Sequence, residues 1–125
     1  MSVHPQRLPD YLNHILEAIV RIERYTAGMD QAAFVDNDMA QDAVIRNFEV
    51  IGEASRNIER NHPDFAAAHP ELPLAIAYEM RNALAHGYFK VDLKLVWRTL
   101  EVDLPPLKRS VEALVQQIQP GTPGS

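Results

Sequence analysis

Residues 42–58 read DAVIRNFEVIGEASRNI, and this stretch predicts a long amphipathic helix. Its apolar positions recur at the spacing of one helix face, at Val44, Phe48, Ile51 and Ile58. A stop signal follows at Pro63, because the residue before a proline avoids helical backbone angles. We therefore expect one helix over residues 38–61, with one face buried in a core.

The other side of this helix carries a continuous charged stripe, formed by Arg46, Glu49, Glu53, Arg56 and Arg60. Such a stripe is typical of a solvent-exposed helix face with mixed charges. A second interpretation is that Arg46, or its neighbour Asn47, faces a functional site supplied by another part of the chain. The spacing alone leaves both interpretations open.

A helical pattern also precedes this segment. Pro9 and Asp10 are typical of a first helical turn, and apolar residues then recur at helical spacing as far as Ile22. This helix should end near Gly28, because glycine readily adopts the left-handed conformation that closes a helix. We expect residues 29–38 to be a polar connection with one short apolar pair, Phe34 and Val35.

Two further main helices are predicted in the second half of the chain. One begins near residues 71–73, and after a short turn at residues 89–92 the next begins near residue 93 and includes Trp97. Pro105 and Pro106 must break the latter, because a proline removes a backbone hydrogen bond and clashes with the preceding turn. The expected fold class is all-α, an antiparallel bundle of four main helices in which the last is broken at Pro105 and Pro106.

Length and composition suit a single domain, since 46% of the 125 residues are hydrophobic. We expect the domain to span residues 1–119 and the Pro/Gly/Ser-rich residues 120–125 to be a disordered tail. The chain has no cysteine, and His62 and His69 lie in what we expect to be a loop, with no third ligand at metal-binding spacing, so we predict no metal site. Without an apolar run of signal-peptide or membrane-helix type, we expect a cytoplasmic protein with no membrane partner.

The residues best suited to chemistry lie in the stretch RNALAHGY at residues 81–88. Arg81 is always charged and its planar guanidinium matches a phosphate group, whereas His86 can donate or accept a proton near neutral pH. Together they suffice for metal-free RNA cleavage, with His86 transferring protons and Arg81 stabilising charge on the phosphorane. The competing interpretation is structural: Arg81 caps helix carbonyls and His86 is a satisfied buried histidine.

Geometry and net charge both constrain this motif. Residues five apart in a continuous helix point about 140° away from each other, so Arg81 and His86 converge only if the helix stops near His86 or a second copy completes the site. The net charge of −5 also argues against a broad RNA-binding surface, because RNA affinity depends on neutralising phosphates. An acidic chain must concentrate its basic groups locally.

The pattern R-x-x-x-x-H-x-Y formed by Arg81, His86 and Tyr88 resembles the signature of the HEPN domain in its HepT-like toxin branch. The resemblance extends to residues 7–26 (RLPDYLNHILEAIVRIERYT), 42–58, 80–97 (MRNALAHGYFKVDLKLVW) and 103–115 (DLPPLKRSVEALV). It covers about nine-tenths of the chain. It implies a HEPN-like helical bundle and a symmetric homodimer in which the two R-x-x-x-x-H motifs meet, so that two arginines and two histidines form a locally basic cleft.

The resemblance also implies a function. It points to a metal-independent endoribonuclease that needs no cofactor and is the toxin of a type VII-like toxin–antitoxin pair. Arg81 and His86 would be catalytic, and Asn82, with Arg46 or Asn47, would support them. Tyr88 would be the residue to which a cognate nucleotidyltransferase antitoxin, an MNT-domain protein, attaches AMP.

Two other classes of function stay open on the sequence. Some HEPN domains are non-catalytic modules that bind a nucleotide or a partner protein, although the intact Arg81 and His86 disfavour that role. A dimeric structural protein is the third possibility.

Overall fold

The computed structural model describes residues 8–70 and 93–118. Those ranges contain six α-helices: α1 (Leu8–Tyr25), α2 (Gln31–Val35), α3 (Asp38–Asn61), α4 (Pro63–Ala68), α5 (Leu93–Val102) and α6 (Leu104–Ile118). The connections in the described part of the chain are turns and single residues, with no strand. The predicted all-α class is confirmed. None of the described helices is long and apolar enough to cross a membrane.

The long helix α3 begins and ends where the sequence predicts. Asn37 caps its start, since the side-chain Oδ1 accepts a hydrogen bond of 2.9 Å from the backbone N–H of Ala40. His62, the residue before Pro63, ends it. The predicted inner residues of α3 are all nearly inaccessible to solvent, at Val44, Phe48, Ile51 and Ile58.

α1 and α3 pack against each other and run antiparallel. The Nδ2 of Asn61, at the end of α3, donates a 3.0 Å hydrogen bond to the hydroxyl of Tyr11, near the start of α1. The inner face of α1 is buried over almost its whole length, at Tyr11, Leu12, Ile15, Ala18, Ile19 and Ile22. Gly28 follows in the left-handed conformation with φ of 78°, as predicted for the end of this helix.

α6 packs on α1 as well and is antiparallel to it. The Nζ of Lys108, in the first turns of α6, lies 2.9 Å from the Oε1 of Glu23, near the end of α1. This hydrogen bond to the carboxylate raises the pKa of Lys108 above its ordinary value. α1 is therefore the central helix of the described bundle, with α3 and α6 both packed on it.

The predicted break in the last helix is present, but it falls at Asp103, before the prolines. Pro105 and Pro106 instead occupy the first turn of α6. Backbone N–H groups in a first turn have no partner within their own helix, so a proline there loses no hydrogen bond. The backbone N–H of Leu107 is the first in α6 to reach back four residues, to the carbonyl of Asp103 at 3.3 Å.

The connection predicted at residues 29–38 is wrong in one respect, because it contains the short helix α2. Asp30 caps it, with Oδ1 accepting a 2.8 Å hydrogen bond from the backbone N–H of Ala33. Phe34 is completely buried, and its ring packs against that of Trp97 in α5 with centroids 5.4 Å apart. α2 therefore links the first half of the chain to α5 by packing against it. The segment after His62, expected to be a loop, likewise forms the short helix α4.

Several predictions concern residues outside the described ranges. They are the helix that begins near residues 71–73, the turn at residues 89–92 and the disordered tail at residues 120–125. All of these stay predictions, as does the domain boundary at residue 119.

Candidate functional site

Of the six predicted site residues, the structure describes two, Arg46 and Asn47, which are neighbours in the middle of α3. The four of the motif, Arg81, Asn82, His86 and Tyr88, lie outside the described ranges. The structure therefore tests what Arg46 and Asn47 can each contribute, and the pairing of either with the motif stays a prediction.

Arg46 lies on the solvent side of α3. Its side chain is 76% exposed, and one guanidinium nitrogen lies 3.9 Å from the Oε1 of Glu49, one turn further along the helix. That distance permits only a weak, solvent-screened ion pair. The guanidinium can therefore bind an anionic ligand that arrives from solvent without breaking a strong internal contact.

Asn47 lies on the buried side of the same helix and is only 5% exposed. Its Nδ2 donates a 2.8 Å hydrogen bond to the carbonyl of Ala43, one turn earlier in α3. Successive helix residues differ by about 100° in direction, which is why these two neighbours face different surroundings. Asn47 can contact another group only within the packed interior, so the two residues cannot act on a ligand in the same way.

Arg46 lines an open groove of about 370 Å³ between α1 and α3. One face of α3 and one residue of α1, His14, line the groove. The lining residues of α3 are Arg46, Glu49, Val50, Glu53, Ala54 and Asn57. One arginine faces two carboxylates here, so the groove offers hydrogen-bonding groups but does not neutralise several phosphates. His14 is not apparent as a site residue from the sequence, because this half-buried histidine of α1 lines the same groove as Arg46 only when α1 and α3 pack together.

A second groove, of about 440 Å³, has a different electrostatic character. It lies along the exposed face of α5, next to the start of α2, and is lined by Gln31, Lys94, Leu95, Arg98 and Glu101. Two cations against one carboxylate suit an anionic ligand. The spacing of Lys94 and Arg98 by one helical turn is visible in the sequence, but the groove beside them forms only when α2 packs on α5.

Metal-binding geometry is absent from residues 8–70 and 93–118, where no three His, Asp or Glu side chains could hold one ion. His62 and His69 make aromatic contacts: the ring of His62 lies 6.0 Å from that of Tyr11, and the ring of His69 lies 4.3 Å from that of Phe65. Both distances are measured between ring centroids.

Comparison with known proteins assigns the chain to a family. The sequence model of the family described as "Ribonuclease HepT-like" matches residues 15–114, which include all six described helices in whole or in part and the RNALAHGY stretch. No solved structure matches the chain.

Curated relatives agree with that match. "Probable ribonuclease HepT" of Thermococcus cleftensis is 44% identical over 105 residues, which are 84% of this chain and 93% of that protein. "Putative RNase MJ1380" of Methanocaldococcus jannaschii is 38% identical over 102 residues, 82% of this chain and 91% of that protein.

A third relative is longer. "Gamma-glutamylcyclotransferase and putative RNase MJ0434" of Methanocaldococcus jannaschii is 39% identical over 108 residues, 86% of this chain but only 47% of that protein. The chain thus spans about half of this relative. The match of the family model over most of the chain, together with these relatives, shows that the chain belongs to the HepT-like ribonuclease family.

Proposed function

We propose that this protein is a metal-independent endoribonuclease and the toxin of a toxin–antitoxin pair, with Arg81 and His86 as its catalytic residues. The observation that carries the proposal is the match of the HepT-like ribonuclease family across residues 15–114, a range that contains both residues. The names of the relatives, which are ribonuclease names, support the same activity.

The proposed reaction needs only proton transfer and charge stabilisation. A neutral His86 takes the proton of the RNA 2′-hydroxyl as the 2′-oxygen attacks the adjacent phosphorus. The bond from phosphorus to the 5′-oxygen then breaks, and that oxygen receives a proton from a protonated histidine. The products are a 2′,3′-cyclic phosphate and a 5′-hydroxyl. Arg81 stabilises the negative charge that develops on the phosphoryl oxygens.

A homodimer is part of the proposal, because the reaction uses one histidine as a base and one as an acid. Two copies of His86 that meet at a two-fold axis supply both, and two copies of Arg81 double the local positive charge. Light scattering at micromolar concentration should give the mass of two chains. A stable monomer that cleaves RNA would contradict this part of the proposal.

Cleavage assays on purified protein test the catalytic assignment. The wild type should cut single-stranded RNA in the presence of EDTA, and the ends should carry 2′,3′-cyclic phosphate. Arg81→Ala and His86→Ala should each abolish cutting while their helical circular dichroism stays that of the wild type. Arg109→Ala, which removes an exposed arginine from α6, is the matched control and should cut normally.

Three outcomes separate the parts of this proposal. Persistent cutting by both Arg81→Ala and His86→Ala shows that the catalytic residues are others. Loss of wild-type cutting in EDTA, with recovery on added Mg²⁺, contradicts the metal-independent mechanism. Absence of any cutting by the wild type contradicts the enzymatic function itself and favours a non-catalytic HEPN module.

We further propose that Tyr88 is the control point of the toxin. A nucleotidyltransferase antitoxin transfers AMP from ATP to the tyrosine hydroxyl, forming a phosphodiester and releasing pyrophosphate. Each AMP places a negative phosphodiester near Arg81, where it competes with the RNA phosphate, and a bulky adenine near His86. Asn82, next to Arg81 in the chain, is proposed to position the catalytic pair.

Mass spectrometry tests the modification. Co-expression with the cognate nucleotidyltransferase should add AMP masses to the wild type, whereas Tyr88→Phe should gain none and stay toxic. A neutralised wild-type complex that carries no AMP would show that the antitoxin acts by covering the site.

A further inference from the structure

Positive charge is unevenly distributed over the described helices. Among the six, α5 and α6 alone contain more basic than acidic residues: Lys94 and Arg98 against Glu101 in α5, and Lys108 and Arg109 against Glu112 in α6. In α6 the ammonium of Lys108 is engaged by Glu23 at 2.9 Å. α5 and α6 are therefore the described helices with an excess of positive charge, on a chain with a net charge of −5, and both cations of α5 line one groove.

The cations of α5 lie on its solvent face and line one groove. Lys94 and Arg98 are both exposed and stand one helical turn apart, which places their Cβ atoms about 5–6 Å from each other. Like charges at that spacing destabilise an isolated helix by a few tenths of a kcal/mol, so the arrangement does not serve the stability of α5. In the described part of the chain, the Arg98 guanidinium has no hydrogen-bond or ion-pair partner.

The same groove offers two kinds of contact besides charge. Gln31, from the start of α2, adds a side-chain amide that can donate or accept a hydrogen bond. Leu95 is 54% exposed and adds an apolar surface beside Arg98. A protein binds single-stranded nucleic acid through these three kinds of group. Cations contact the phosphates, amides contact the base edges, and apolar side chains contact the base faces.

Chain connectivity limits how far this groove can lie from the proposed catalytic residue. Lys94 follows His86 by eight residues, so their Cα atoms lie no more than about 29 Å apart whatever path the backbone takes. An RNA strand held at His86 therefore has nucleotides within reach of α5.

We propose that the groove on α5 is a substrate subsite, in which Arg98 and Lys94 bind phosphates of the RNA strand a few nucleotides from the scissile bond. The proposal rests on the ribonuclease function proposed above and specifies how an acidic protein binds its substrate. Gln31 contributes a hydrogen bond to the same strand, and Glu101 limits affinity by repelling the backbone. Substrate thus extends from the catalytic residues along the exposed face of α5.

Equilibrium binding of a fluorescein-labelled single-stranded RNA, followed by fluorescence anisotropy at several salt concentrations, tests the proposal. Arg98→Ala should weaken binding by up to about fivefold, the effect of one exposed ion pair. It should also reduce the slope of log affinity against log salt by about 0.7, the value for one phosphate contact on a single strand. The KM for cleavage of the same RNA should rise in parallel.

Opposite-charge variants provide the sharper comparison. Glu101→Gln removes the only carboxylate that lines the described groove and should tighten RNA binding, by up to about fivefold. Arg109→Ala and Glu112→Gln make the same charge changes on exposed residues of α6, outside the groove, and should shift affinity less than their α5 counterparts. A merely structural role for Arg98 or Glu101 would not change the salt slope.

Four results decide the proposal. Opposite shifts for Arg98→Ala and Glu101→Gln, with small shifts for the α6 controls, support it. Unchanged affinity and slope for Arg98→Ala, in a protein that still binds and cuts RNA, overturn the subsite and leave the catalytic assignment intact. A change of oligomeric mass in Arg98→Ala without a change in RNA affinity also overturns it and assigns the face to contact between copies. A wild type that binds no RNA overturns both proposals.

Discussion

Replacing Phe34 with alanine should destabilise the whole protein, although Phe34 belongs to a helix of only five residues. Its side chain is 0% exposed and packs on Trp97. Truncation of a fully buried phenylalanine to alanine costs about 3–5 kcal/mol, which combines lost transfer free energy with the cavity left behind. A domain of this size has about 5–15 kcal/mol of stability in total, so the loss is a large fraction of it.

Trp97 provides the assay, because it is the only tryptophan in the chain and is 7% exposed. Phe34→Ala should lower the melting temperature by roughly 10–20 °C. It should also shift the folded-state emission of Trp97 to longer wavelength, since one side of the indole loses its cover. Val35→Ala in the same short helix is the control. Its side chain is only partly buried, so the cost should be about 1 kcal/mol with no shift in emission.

The reasoning fails if Phe34→Ala unfolds within about 1 kcal/mol of the wild type and its emission is unchanged. That result would mean that α2 does not cover α5. It would also remove the support that α2 gives to the groove on α5, which Gln31 and Arg98 both line.

Three further substitutions test the described helices. Arg46→Ala should change the free energy of unfolding by less than about 0.5 kcal/mol in thermal melts, because its ion pair with Glu49 is long and exposed. Asn47→Asp should cost about 1–3 kcal/mol at pH 7, since it exchanges a buried hydrogen-bond donor for a carboxylate. The cost should be smaller near pH 4, because burial raises the pKa of a carboxyl group and the neutral form is tolerated in the interior. Lys108→Met should cost up to about 1 kcal/mol at pH 7. Because the pKa of Lys108 is raised in the folded state, the full difference in free energy of unfolding is present below pH 10.5, the ordinary value. The difference disappears as the pH rises through the raised pKa, and urea unfolding at several pH values would reveal this loss.

The helices that the sequence predicts well are those whose limits are set by local chemistry. The bounds of α3 match at both ends because Asn37 and Pro63 act within one turn of them. α2 was missed because five residues are too few to show a periodic pattern. Its burial depends on Trp97, more than sixty residues away in the chain.

The candidate site divides in the same way. The residue types of Arg81 and His86 predict their chemistry, whereas their convergence depends on tertiary structure and stays a prediction. The charged stripe on α3 correctly predicts an exposed Arg46. Only the packing of α3 shows that Asn47, its neighbour in the chain, faces the interior. His14 joins the groove on α3 through the pairing of two helices, which no local pattern encodes.

The central position of α1 has a consequence for biosynthesis. Glu23 and Lys108, which join α1 to α6, are separated by 85 positions in the chain. At about 5–20 residues per second, the ribosome completes that interval in roughly 4–17 s. During this time α1 can pair with α3, but the part of its surface that receives α6 stays uncovered and available to chaperones. The described bundle can therefore be completed only after α6 has been synthesised, because α6 contacts α1 across this interval of the chain.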